Sequence, residues 1–196
     1  MTAKAFTRIL VLLLAAFAVL GAILLPGMGM GWDEVTRWQS GDLKVDYYAA
    51  LLAGEDPPTL AGDAYPGLFD LPLALVHRLS GGDRMHQGHA FSLFFACLGL
   101  FATAWMGKTV FGPATGLLAA LLLALLPNFF GHSLINPKDI PFLSAYTLGL
   151  AGLLSVSRKL LEAGRVRWPV IIGAGLLFGL AGSARIPGLV LLGLAG

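Results

Sequence analysis

Residues Gly131–Phe142 read GHSLINPKDIPF, and the fold turns on this stretch. It lies between two long apolar runs and is too short and too polar to be anything but a turn at a membrane surface. Pro137 and Pro141 bracket an adjacent lysine–aspartate pair, Lys138 and Asp139. If the turn is real, the apolar runs beside it are membrane spans, and the aspartate is either a helix cap or part of a reaction centre.

Composition supports a lipid solvent. Hydrophobic residues make up 57% of the 196 and charged residues 12%, whereas charged residues are about a quarter of a soluble domain. The single Cys97 sits inside an apolar run and offers neither a disulfide framework nor a metal cluster. Charge is segregated: residues 28–88 carry nine acids against four bases, and the rest carries nine bases against Asp139 and Glu162. No basic stripe of the kind nucleic acid requires is present, so no nucleic-acid partner is expected.

Upstream, residues 9–32 are free of charge and follow Lys4 and Arg8, enough to cross ~30 Å of hydrocarbon. No A-x-A site closes that run, which favours a signal-anchor over a cleaved leader. Gly27-Met-Gly-Met-Gly31 follows a span rather than a strand, so it predicts a flexible exit from the bilayer and no dinucleotide site. A polar excursion over 32–88 comes next. Within it Val45, Tyr48, Leu51 and Leu52 predict a short helix with one apolar face. Pro57-Pro58 and Gly62-Asp63 predict breaks, and Leu68–Leu79 predicts an interfacial or re-entrant helix too short to span.

Charge-free stretches at 90–107, 109–131, 140–157 and 168–184 then predict four more spans, and Ile186–Gly196 the start of a sixth that the chain does not finish. The expectation is an all-α polytopic membrane protein with about five spans and a long first loop, residues 28–88. Placing Lys4, Arg8, Lys108, Arg158, Lys159, Arg165 and Arg167 in the cytoplasm satisfies the positive-inside rule. Asp33-Glu34, Lys138-Asp139 and Arg185 then share the extracytoplasmic face.

Each candidate residue also has a plain structural reading. Asp33 and Glu34 beside Trp32 and Trp38 could be solvated acids in an aromatic belt. Asp139 could be the N-cap of the next span, with Pro141 tolerated in its first turn. That leaves the crowding of His132, Asn136 and Lys138 in the same turn without an explanation. His86 and His89, three apart, lack a third ligand for zinc, and Arg185 could simply snorkel to the interface. No GxSxG, Walker loop or HExxH occurs, so hydrolase, nucleotidase and protease readings have no support.

An acidic pair after the first span, a long loop with an interfacial helix, and a second acid in the next outer loop together resemble the membrane-embedded GT-C glycosyltransferases. The resemblance is to the family 39 relatives of protein O-mannosyltransferases and of the lipid A aminoarabinose transferase. It rests on Trp32-Asp33-Glu34, on Tyr65–Leu79 (YPGLFDLPLALVHRL), and above all on Pro127–His132 (PNFFGH) with Asn136–Phe142 (NPKDIPF). It covers residues 1–196 as the N-terminal part of such a transmembrane domain. The resemblance implies transfer of a sugar from a polyprenyl-phosphate carrier to an acceptor hydroxyl on a lipid, protein or polysaccharide, with inversion. In that scheme Asp33 is the general base with Glu34 supporting it, and Asp139 positions the acceptor or a divalent cation. Lys138 and Arg185 are matched by location to the carrier phosphate, with His132 and Asn136 beside them. The competing expectation is a transporter, a non-catalytic assembly subunit or an inactive fragment. The lack of internal repeats and of mid-span charges counts against transport.

Overall fold

The computed structural model describes residues 1–61, 63, 65–190 and 193, and among them every regular element is helical. Gly62, half of one expected break, and most of the expected start of a sixth span (191, 192 and 194–196) lie outside the described residues. Eight α-helices follow in order among the described residues: α1 Ala3–Leu24, α2 Glu34–Ala53, α3 Asp70–Ser80, α4 Arg84–Phe111, α5 Pro113–Leu125, α6 Pro127–Ile135, α7 Asp139–Ala163 and α8 Trp168–Ala184. Short 3-10 turns follow α1 (Leu25–Gly27) and α8 (Ile186–Leu189).

Among the described residues, three helices are long and apolar enough to cross a membrane: Ala3–Gly27, Arg84–Phe111 and Asp139–Ala163. The expected span at 109–131 takes a different form. Gly112, at φ +99°, ends α4, and Pro113 and Pro127 each open a new helix at a position where the missing N–H costs nothing. The resulting α5–α6 pair bends by 70° and makes a fourth span only if counted as one broken helix. α8 is an apolar helix of 17 residues. The stretch expected to be all turn is also partly helical: Gly131–Ile135 belongs to α6, and the turn proper is Asn136–Lys138.

α4 is the central rod, packed by α1, α5, α6 and α7. It runs parallel to α7. Ser144 Oγ donates to the Phe95 carbonyl and Arg158 to the Thr109 carbonyl, both pairs 49 residues apart. Small residues let these backbones approach, with Gly99 of α4 set against Ser144 of α7, while Ala145 and Gly152 do the same on the face of α7 toward α8, as expected where lipid removes the hydrophobic drive between helices. An aromatic cluster of Phe69, Phe91, Phe94 and Phe95 ties α3 to the upper part of α4.

The polar excursion folds as a helix pair rather than an open loop. α2 is 20 residues long and buries chiefly its polar stripe (Glu34, Arg37, Ser40, Gly41, Lys44), and of the expected apolar face only Val45 is buried. Tyr48, Leu51 and Leu52 are exposed. The reason lies in α3, which presents a buried Asp70 to that stripe. Gly41 makes the approach feasible, since a Cβ there would sit 2.6 Å from the Asp70 carbonyl oxygen.

Candidate active site

The turn between α6 and α7 is built around Asn136. Its Oδ1 accepts from the backbone N–H of Lys138 (3.0 Å) and of Asp139 (2.8 Å). Its Nδ2 donates to His132 Nδ1 (3.1 Å) and to Asp139 Oδ2 (3.2 Å). All four bonds available to one amide are used. Asn136 therefore does the capping expected of Asp139, which instead opens α7 as its first helical residue. There its charge favours the positive end of the helix, and its carboxylate is left to face outward.

Two further strands of sequence reach this turn. Lys138 Nζ donates to Asp33 Oδ2 at 3.0 Å across 105 residues. Arg185 Nη1, just past α8, donates to Asp139 Oδ1 at 2.7 Å. Asp33, Lys138, Asp139 and Arg185 thus form two adjacent acid–base pairs at one end of the bundle, and all four side chains retain solvent access. Hydrogen bonding to Asp33 holds the Lys138 ammonium above the usual lysine range, with Asp33, Tyr65 and Asp139 adding charge attraction and partial burial opposing it. Lys138 is therefore a fixed cation. The Leu68 N–H on the Ser183 carbonyl (3.0 Å) fastens the end of α8 to the segment before α3, so Arg185 has a supported base.

Gly31 explains how the first helix reaches the same place. A Cβ there would lie 2.7 Å from the Ile135 carbonyl oxygen, so the chain leaving α1 presses directly on the end of α6. Gly27 and Gly29 have open space around them. The GMGMG run thus contains one close-packing glycine as well as a loose exit.

Asp33 and Glu34 diverge. Asp33 precedes α2 without using its carboxylate as a cap, which leaves it for Lys138. Glu34 turns inward and is 2% exposed. It accepts from the Gly31 N–H (3.1 Å), reaching back three residues as in a capping box. Its Oε1 lies 2.8 Å from Nε2 of the fully buried His89, an ion-pair distance without the alignment of a hydrogen bond. Burial pushes the Glu34 carboxyl above the ordinary range, and His89 and the Gly31 N–H offset only part of that. His86, by contrast, is exposed and pairs with Asp83 (2.7 Å). The two histidines thus serve different partners.

Sequence reasoning missed the network beneath this surface. Arg37 clasps Asp70 through both carboxylate oxygens, with Nε to Oδ1 at 2.8 Å. Ser40 donates to Asp70 (3.0 Å), and Lys44 pairs with Asp63 and approaches Asp70 to 3.7 Å. The Tyr65 ring covers the Arg37 guanidinium at 4.0 Å. At the outer edge Arg84 grips Asp42 at 2.6 and 2.7 Å. The available signal was the helical spacing of Glu34, Arg37, Gly41 and Lys44, which the apolar residues of the same helix obscured.

The donor set does not suit a divalent cation. Asp33 and Asp139 each already hold a basic side chain, and among the described residues no group of three His, Cys, Asp or Glu gathers. A family model described as dolichyl-phosphate-mannose-protein mannosyltransferase matches residues 66–195. The match takes in the Asn136 turn and Arg185 and begins after Asp33. No curated protein and no solved structure matches the chain.

Proposed function

The chain belongs to the dolichyl-phosphate-mannose-protein mannosyltransferase family, and on that premise we propose that it transfers a sugar from a polyprenyl-phosphate carrier to an acceptor hydroxyl at the Asp33–Lys138–Asp139–Arg185 cluster. Membership places it among the GT-C glycosyltransferases, which fits its apolar helices. The observation that carries the finer reading is the convergence of Asp33, the Asn136 turn and Arg185 from three distant parts of the sequence.

In the proposed step the Asp33 carboxylate takes the acceptor hydroxyl proton as the oxygen attacks the anomeric carbon. The bond from that carbon to the carrier phosphate oxygen breaks on the opposite face, and its electrons leave with the phosphate. Lys138 and Arg185 stabilise the charge that develops there. Asp139 orients the acceptor and holds Arg185, while His132 and Asn136 fix the turn. Glu34 acts as a positioning residue through Gly31. The acceptor is a lipid, protein or polysaccharide. The proposed setting is the inner membrane, with five crossings, the N-terminus in the cytoplasm and the cluster on the extracytoplasmic face.

Sugar transfer from a radiolabelled polyprenyl-phosphate donor in membranes tests this. Asp33→Asn is expected to lower the rate about a hundredfold or more, the scale of a lost general base, and Asp139→Asn to lower it as well. Wild-type rates in both variants would exclude the assignment.

A further inference from the structure

The end of the bundle away from Asp33 and Asp139 carries a second constellation. Because α4 and α7 run in parallel, Lys108 and Arg158 lie toward their far ends, about 28 Å along the α7 axis from Asp139 at ~1.5 Å per residue. Two cavities open there. One, about 360 Å³, is an apolar cleft between α1 and α4 lined by Phe6, Leu10, Leu14, Phe101, Trp105 and Lys108. The other, about 400 Å³, lies between α4 and α7 and is lined by Trp105, Lys108, Ser155, Arg158, Lys159 and Glu162. Trp105 and Lys108 belong to both.

Charge in the second cavity is net positive, three cations against Glu162. Glu162 is taken by Arg158 Nε at 2.6 Å, and among the described residues neither Lys108 nor Lys159 has an acidic partner within ion-pair distance. Lys108 Nζ instead rests 4.5 Å over the Phe6 ring, at the mouth of the apolar cleft. The Ser155 and Thr109 hydroxyls donate to carbonyls of their own helices, so an anion would be held first by Lys108 and Lys159, beside an Arg158 already engaged by Glu162 and the Thr109 carbonyl. Lys4 and Arg8 line a further hollow that shares Thr7 with the apolar cleft, and they add positive potential on that flank.

We propose that the paired cavities bind one anionic phospholipid, with its phosphate against Lys108, Arg158 and Lys159 and an acyl chain along the Phe6–Trp105 cleft. Basic hollows between membrane helices take such headgroups. The adjoining apolar cleft distinguishes a lipid from a free phosphate, which has no use for it, and Trp105 at the junction has the amphipathic ring suited to a headgroup boundary. The proposal is independent of the transfer reaction and of which leaflet this end faces.

Native mass spectrometry of the full chain, released from detergent micelles doped with phosphatidylglycerol or phosphatidylcholine, tests it. Preferential retention of phosphatidylglycerol is expected. The Lys108→Gln/Lys159→Gln variant should lose that preference by about tenfold or more, since each basic group near a lipid phosphate contributes on the order of a factor of five. Lys108→Arg/Lys159→Arg should restore it, which separates binding from misfolding. Arg165→Gln/Arg167→Gln removes the same charge from the neighbouring loop outside the cavities and should retain it. Equal retention of the two lipids, or equal loss in both glutamine variants, would overturn the proposal. Displacement of phosphatidylglycerol by inorganic phosphate at matched concentration would assign the cavity to a soluble anion instead.

Discussion

Asp33 and Glu34 are neighbours that the sequence offers as a unit and the structure separates. Asp33 faces Lys138 and solvent, while Glu34 is sealed against His89 and the Gly31 N–H. Their substitutions should therefore differ in kind. Asp33→Asn is expected to cut turnover with little change in stability. Glu34→Ala leaves His89 and the Gly31 N–H without their partner and should cost ~1–3 kcal/mol, read as a fall in thermal midpoint. Glu34→Gln should preserve most of the fold and change its pH response. Because burial raises the Glu34 carboxyl, its contribution is full below the ordinary glutamate range and is lost as pH rises through the raised value. Glutamine at 34 should flatten that decline in a series of melts against pH. The sequence could mark Asp33, Lys138 and Asp139 because polar residues at span ends stand out. It could not separate Glu34 from Asp33, since which of two adjacent acids turns inward depends on His89, more than fifty residues away.

At the scale of elements, helix content was legible and the partners of the polar helices were not. Apolar runs located α1, α4, α7 and α8, because lipid-facing helices announce themselves by composition alone. The bend in 109–131 went unseen, since Leu-rich sequence is equally apolar whether straight or broken, and Pro127 marks a new helix start only in context. α2 misled for a different reason: its inward stripe is charged, and charge is ordinarily read as solvated. The Arg37–Asp70 clasp makes that stripe the strongest tie between α2 and α3. Asp70→Ala should cost ~3–5 kcal/mol, because it leaves the buried Arg37 guanidinium unpaired, whereas an Arg37→Met/Asp70→Leu double change should recover much of the loss. Hydrogen exchange of the α2 amides separates the two outcomes. Gly31→Val belongs to the same scale. Its side chain would meet the Ile135 carbonyl, so it should displace the α1 exit from the Asn136 turn and lower transfer without touching a charged group.

For the whole molecule, the prediction that matters is sidedness. In a Cys97→Ser background, Glu55→Cys should react with a membrane-impermeant maleimide from outside the cell, and Arg165→Cys only after permeabilisation. The reverse pattern would invert the proposed orientation. Acid should loosen the outer helix pair before the bundle. The Arg84 guanidinium holds Asp42 below the usual carboxylate range, so this clasp is intact above that range and released as pH falls through the lowered value. Loss of α2 protection in acid, with α4 and α7 still protected, is the expected result.

The constant 49-residue offset between α4 and α7 makes those helices a matched pair of screws. A residue inserted in α4 between Phe95 and Lys108 would turn everything beyond it by about 100°. His89 would keep its hold on Glu34, while Lys108 would rotate out of line with Arg158. The two ends of the molecule are thus phased to each other by the length of a single helix, and a family member that gains or loses one residue there must either re-form the far cavity from other side chains or do without it.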